Sequence, residues 1–164
     1  MVIFRGLLDE INSENELAYI LGHELGHFIH RDHLRGLGRG LVLATAATFL
    51  FGSDNTLSQL VTGTVSFAQM KFSQKQEAAA DLFALELINK HYGHTGGATD
   101  FFRRVIEKKE INKFRYFFST HPDPDARVKA IEREIKVSDY SIEETVVLDS
   151  VYYSLPGDSG TNQE

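Results

Sequence analysis

The run His23-Glu24-Leu25-Gly26-His27 constrains this chain more than any other feature, because histidines four residues apart act together only on a helix. Four residues of α-helix turn through about 400°, so the two imidazoles project about 40° apart and one turn apart. Both then reach a single divalent ion at about 2.0–2.1 Å, the distance zinc requires. The carboxylate of Glu24 lies beside such an ion without having to bind it. There it is placed to take a proton from an activated water and return it to a leaving amine.

Ser13, followed three residues later by Glu16, forms the sequence of a capping box, which predicts a helix from this point to about His33. With Leu17 set at zero and about 100° per residue, Leu21, Leu25 and Phe28 fall within about 80° of it. These four define the expected buried face. His23 and His27 fall near about 240° and 280°, and Glu24 near about 340°, so the histidines are expected to border that face as the wall of a cleft.

Two histidines leave a catalytic zinc site incomplete, since three protein ligands and one open position are usual. His30 points the same way as His27 but lies about 4.5 Å further along the axis, and His33 lies about 9 Å beyond His27. Neither is expected to bind the same ion. A better donor is Glu77, in Phe72-Ser73-Gln74-Lys75-Gln76-Glu77-Ala78-Ala79-Ala80-Asp81. Glu77 and Asp81 share a helical face, and the three alanines between them leave room for close helix approach. Glu77 would bind the metal while Asp81 receives the outer N–H of a ligand histidine. Taken alone, the same segment also reads as a solvated acidic pair on an exposed helix.

Elsewhere Gly36, Gly38 and Gly40 are expected to interrupt the helical pattern before a second helix over 41–51. A turn over 52–55 precedes a long helix over 57–90, with a possible break at Gly63. A loop at 93–97, a helix over 99–109 and a segment at 114–120 follow. His121-Pro122-Asp123-Pro124 reads as a sharp turn, with Asp123 as N-cap and Pro124 at the first position of a helix over 124–136. Residues 141–155 fit a helix opened by Ser141 and Glu144, or a strand, equally well. Disorder is expected from Pro156 onward.

The 164 residues suit one domain, and 42% hydrophobic with 24% charged residues is ordinary for a globular protein. A net charge of -6 argues against a nucleic-acid partner, and the absence of cysteine excludes disulfides and thiolate chemistry. The N-terminus does not read as a signal peptide. Residues 2–5 read as a short strand, and a strand without neighbours suggests that sheet partners, and a targeting segment with them, belong upstream. The apolar run over 41–51 is well short of the roughly 20 residues that cross a bilayer, so a buried helix is expected there, with membrane contact as the alternative.

HELGH at 23–27, ExxxD at 77–81, and His121-Pro122 with Arg127 five residues further on occur in the order of one peptidase family. The chain resembles the gluzincins that include the CAAX prenyl proteases, the HtpX membrane proteases and the BepA-like periplasmic proteases, over residues 3 to about 135. Residues 4–8 look like that family's strand leading into the active-site helix. The resemblance implies a mainly α, zincin-like α+β fold in which the active-site helix packs on a second zinc-ligand helix, with a small β element at the N-terminus. It implies a catalytic domain over 1–136 lacking upstream strands, with 137–164 as a C-terminal extension. One Zn²⁺ would be held by His23, His27 and Glu77, with Glu24 as general base and Asp81 and Arg127 in support. His121 would stabilise the developing oxyanion or fill the open position at rest; otherwise it is a helix-start histidine without a catalytic task.

The implied activity is that of a zinc-dependent endopeptidase acting on unfolded or misfolded protein, in quality control at the cell envelope, with membrane association through segments absent from this chain. Two departures bear on this. Gln74 follows Ser73 where the family often has arginine, and the edge strand that would bind an extended peptide beside the cleft is missing. A zinc-stabilised module that binds peptides without cutting them is the alternative, and a helical domain without metal is a third reading.

Overall fold

Ser13 starts the central helix as its N-cap, its hydroxyl accepting the Glu16 N–H at 3.2 Å. The carboxylate of Glu16 does not reach back to Ser13. It accepts the Asn12 N–H at 2.9 Å and pairs with Arg104, which satisfies a carboxylate that is almost wholly buried. The computed structural model describes residues 5–51, 72–110 and 112–148. Over these the chain forms helices α1 (Arg5–Leu8), α2 (Glu14–Ile29), α3 (Asp32–Phe51), α4 (Gln74–Tyr92), α5 (Asp100–Glu107), α6 (Arg115–Thr120) and α7 (Pro124–Val137). Among the described residues the only β pairing is an isolated bridge between Ser13 and Val147.

The architecture is thus mainly helical, with the HELGH helix packed along the helix that carries Glu77. Tyr19 and Ile20 of α2 meet Ala84, Leu85 and Ile88 of α4, and Phe101, Phe102, Val105, Val128, Ile131 and Ile135 from α5 and α7 close the core. The α2–α4 contact is unusually close. A Cβ on Gly26 would lie 2.9 Å from the Ala80 Cα, and one on Gly22 would lie 3.2 Å from the Ala84 Cα. Small residues on both helices therefore let the backbones touch.

Although Leu17 still packs against the core and Leu21 is half-buried, this contact rotates α2 away from the expected orientation. Its buried residues are Asn15, Glu16, Tyr19, Ile20, Gly22, His23, Gly26 and His27. Leu25 and Phe28, expected inside, are 42% and 72% exposed. Hydrophobic periodicity assumes that the apolar stripe faces the core. Here the glycine stripe does, because it alone admits α4, and the histidines beside it meet buried carboxylates from other elements.

Other differences concern helix boundaries. Arg5–Leu8 is a helical turn rather than the end of a strand, and residues 2–4 of the expected strand lie outside the described residues. α2 ends at Ile29, where Arg31 takes a left-handed conformation (φ 56°). α3 then runs through Gly36, Gly38 and Gly40 without a break. Each glycine weakens a helix by about 1 kcal/mol relative to alanine but does not forbid it. α4 begins at a complete capping box, the Ser73 hydroxyl accepting from the Gln76 N–H and the Gln76 side chain accepting from the Ser73 N–H, so no helix continues unbroken from residue 57 to 90. It ends at Gly93 in the left-handed conformation. The expected turn at 52–55, the helix start at 57–71 and the tail from 149 lie outside the described residues.

Residues 141–148 form neither a helix nor a ladder of strand pairs and lie against the start of α2. The Glu14 N–H donates to the Val146 carbonyl at 2.8 Å, the Val146 N–H donates to Asn15 Oδ1 at 2.8 Å, and Leu148 enters the core.

Gly26→Ala tests the helix contact. Helix propensity alone would favour alanine by about 1 kcal/mol. Overpacking against the α4 backbone costs about 1–3 kcal/mol and is expected to win. Urea denaturation should show a net loss of stability, whereas a gain would mean that the helices have room to spare.

Candidate metal centre

Four side chains from three elements converge beneath the α2–α4 contact. His23, His27, Glu77 and His121 each offer one ligand atom, and these atoms all lie within 4.8 Å of one another. α2 presents both histidines on its buried face. α4 brings Glu77 from its first turn, and the backbone approach at Gly26 and Ala80 sets how near it comes. His121 arrives from the turn after α6. Phe117 stacks on its ring at 4.7 Å, and Asp123, left-handed at φ 61°, caps α7 by accepting the Ala126 N–H at 3.1 Å.

The donor separations fit a single tetrahedral ion. A zinc site with bonds of about 2.0–2.1 Å has donors about 3.3 Å apart. Here His23 Nε2 and His27 Nε2 are 3.1 Å apart, and Glu77 Oε1 is 3.3 Å from His27 Nε2. Glu77 Oε2 is 3.6 Å from His23 Nε2, and His121 Nδ1 is 3.2 Å from both His23 Nε2 and Glu77 Oε1. Two imidazoles from α2 and a carboxylate from α4, with donor atoms 3.1–3.6 Å apart, suit zinc or a similar borderline cation. Glu77 Oε2 is also buried without a well-formed hydrogen bond, although Arg127 Nη1 lies 3.1 Å away.

Electrostatics hold the group together without the ion. Asp81 Oδ1 is 2.9 Å from His23 Nδ1 and accepts the Tyr19 hydroxyl at 3.0 Å. Arg127 donates through Nε to Asp81 Oδ2 at 3.0 Å, and its guanidinium also lies over the Phe102 ring at 4.6 Å. Burial opposes ionisation of both carboxyls. The Arg127 charge and the His23 hydrogen bond nevertheless hold Asp81 far below its usual range. Hydrogen bonds to His121 and His27, with Arg127, bring Glu77 down to about 2. Burial, then the Arg127 charge, push His23 down to about 4, so it is neutral at physiological pH and its ring is available as a ligand. His27 goes the other way: burial lowers its pKa, but hydrogen bonds to Glu77 and Asp32 more than offset this.

Of the residues singled out in the sequence, the structure brings His23, His27, Glu77, Asp81, His121, Arg127 and Glu24 into one cluster. Glu24 stands at its edge with 31% of its side chain exposed, and its Oε1 is 3.2 Å from His121 Nε2. His33 remains outside, exposed, with its ring centre 6.4 Å from that of His27. Two residues to which the sequence assigned no role meet His27. Phe72 is stacked flat on the His27 ring at 3.9 Å, and Asp32 Oδ2 is 2.9 Å from His27 Nδ1. Both fell inside the expected helices as ordinary helical positions, whereas Asp32 begins α3 after the break and Phe72 precedes α4.

These features define a buried, carboxylate-supported HExxH metal centre on a helical scaffold. Residues 1–135 match peptidase family M48, and the chain belongs to that family, whose peptidases depend on zinc. It is 29% identical over 136 residues to mitochondrial metalloendopeptidase OMA1 of Arabidopsis thaliana, covering 80% of this chain and 27% of that protein. It is 25% identical over 138 residues to metalloprotease YcaL of Escherichia coli, covering 81% and 54%, and 29% identical over 136 residues to metalloprotease LoiP of the same organism, covering 79% and 52%. The chain thus spans about a quarter to a half of the length of these relatives. No solved structure gives a significant match.

Arg127→Gln tests the charge balance. It leaves two buried carboxylates without their cation, and breaking a buried pair in this way costs about 3–5 kcal/mol. Denaturation of the metal-free protein should show a loss of that size. Lysine should not restore it, because a single ammonium cannot span Asp81 and Glu77 as the planar guanidinium does. A loss below about 1 kcal/mol, the range of an exposed pair, would show that Arg127 does not carry this balance.

Proposed function

We propose that this chain is the catalytic core of a zinc-dependent endopeptidase, with His23, His27 and Glu77 as metal ligands and Glu24 as general base. The observation that carries the reading is the convergence of those three side chains, whose donor atoms lie 3.1–3.6 Å apart, with a partly exposed carboxylate on the adjoining residue of the same helix. When bound, zinc supplies Lewis acidity, which makes water nucleophilic near neutral pH and polarises the scissile carbonyl. Glu24 takes the proton from the attacking water and passes it to the leaving nitrogen. Asp81 and Arg127 hold His23 in place. His121, hydrogen-bond distance from Glu24, donates to the oxyanion that develops on the carbonyl.

A second reading draws on His121 Nδ1, which lies 3.2 Å from both His23 Nε2 and Glu77 Oε1 and is near enough to supply a fourth donor. A closed four-donor site is characteristic of structural zinc, and it favours a module that binds peptides without cutting them. The two readings differ in what His121 contributes to metal retention.

The proposed substrates are unfolded or misfolded chains, and the proposed place is the cell envelope. The support for both is family kinship. Among the described residues no helix is long and apolar enough to cross a membrane.

The decisive variants separate metal from chemistry. Glu24→Gln is expected to keep one zinc per chain by elemental analysis and to lose at least 100-fold of chelator-sensitive casein digestion, in line with removal of a general base (about 10²–10⁴-fold). Glu77→Ala and His27→Ala are expected to lose zinc itself. His121→Ala is expected to keep zinc and to lower turnover. Full proteolysis by Glu24→Gln would remove the proposed mechanism, and loss of zinc in His121→Ala would favour the closed, non-catalytic site.

A further inference from the structure

The two histidines of α2 are supported from opposite sides. His23 turns its outer nitrogen to Asp81, a residue of the facing helix that Tyr19 and Arg127 hold in turn. His27 turns its outer nitrogen to Asp32, which comes from its own stretch of chain, five residues on. In a continuous helix that separation would place Asp32 about 140° around the axis and about 7.5 Å along it, out of reach of the ring. The break after Ile29 makes the contact possible. Arg31, left-handed at φ 56°, ends α2 and sends the chain back, so that Asp32 starts α3 with 1% exposure and its Oδ2 2.9 Å from His27 Nδ1. A non-glycine residue in that conformation is uncommon and carries a conformational cost. The first turn of a 20-residue helix also stabilises a carboxylate, which helps Asp32 remain charged while buried.

We propose that Asp32 is a positioning residue for the metal centre: by accepting the Nδ1 proton of His27 it fixes the ring orientation and tautomer that turn the Nε2 lone pair inward. The neutral imidazole carries one N–H, and whichever nitrogen is not protonated is the ligand. The inner nitrogens of His23 and His27 face each other at 3.1 Å, so a proton on His27 Nε2 would occupy the space the ion needs. Asp32 places that proton on the far side of the ring. Phe72, stacked flat on His27, restricts rotation of the ring, and the carboxylate sets its tautomer. Outer-sphere partners of this kind typically change metal affinity by about 10–100-fold. The assignment rests on His27 being a zinc ligand.

The test uses the purified full chain. Zinc affinity is measured by competition with a chromophoric chelator for the parent, Asp32→Ala, Asp32→Asn and His27→Ala, and the helical circular dichroism and melting temperature of each metal-free variant are recorded alongside. Asp32→Ala should still bind one zinc, about 10–100-fold more weakly than the parent. Asp32→Asn, whose amide oxygen still accepts the Nδ1 proton, should recover much of that loss. His27→Ala should lose the site. If Asp32→Ala does not fold, the comparison passes to Asp32→Asn, which should then bind zinc measurably more weakly than the parent at unchanged helicity. Parent-like zinc affinity in a folded Asp32 variant, while His27→Ala loses the metal, would overturn the role of Asp32 alone. Parent-like affinity in His27→Ala would overturn the ligand assignment on which it rests. A lower melting temperature with parent-like affinity would show Asp32 to be a helix-start residue only.

Discussion

The contact between the glycine stripe of α2 and the alanines of α4 governs everything around the metal centre. Helices bearing ordinary side chains pack with axes about 8–10 Å apart. At Gly26 there is no room for a single additional carbon against Ala80, and at Gly22 the Ala84 backbone is nearly as near. Such closeness costs the hydrophobic contribution that leucine or isoleucine would make at those positions. What it provides is reach. Glu77 lies three residues before Ala80, on the same face of α4, and so falls level with His23 and His27, one of its oxygens within 3.3 Å of a ring nitrogen.

A cluster this buried has to solve an electrostatic problem. His23, His27, Glu77, Asp81, Asp32, His121 and Arg127 are all nearly inaccessible to water. Unpaired, each charge would be expensive to bury, and the usual outcome is neutralisation or expulsion. The arrangement avoids both by alternating signs. Arg127 bridges Asp81 and Glu77, Asp81 and Asp32 each meet an imidazole, and His121 spans from Glu77 to Glu24. A divalent cation among the inner donors completes the same balance. Stability and chemistry therefore draw on one network, which explains why so much of the α2 core face is polar.

Much of this was legible in the sequence, for reasons specific to each motif. The i, i+4 spacing in HELGH and in Glu77–Asp81 needs only helical geometry, and the capping chemistry of Ser13 and of Asp123-Pro124 marks helix starts directly. Glu77 stood out as a candidate third ligand because it shares a face with Asp81 across three alanines and because the motifs occur in the family's order; taken alone, the segment reads as a solvated acidic pair. Other features depend on tertiary structure. Which face of α2 is buried could not be read from its leucines, since Leu25 and Phe28 lie outward; the glycines at 22 and 26 were the better sign. Ser73 and Gln76 carried a capping box that a long apolar pattern obscured. The continuity of α3 through three glycines, and the return of Asp32 after a left-handed arginine, leave no periodic trace in the chain.

The central claim is that two helices and one ion make this site. A crystal structure of the zinc-loaded protein, with the metal located by anomalous scattering, tests it most directly. The account predicts one zinc within about 2.0–2.2 Å of His23 Nε2, of His27 Nε2 and of a Glu77 carboxylate oxygen. Zinc bound elsewhere, or held by the two histidines with the Glu77 carboxylate outside its coordination sphere, would contradict it.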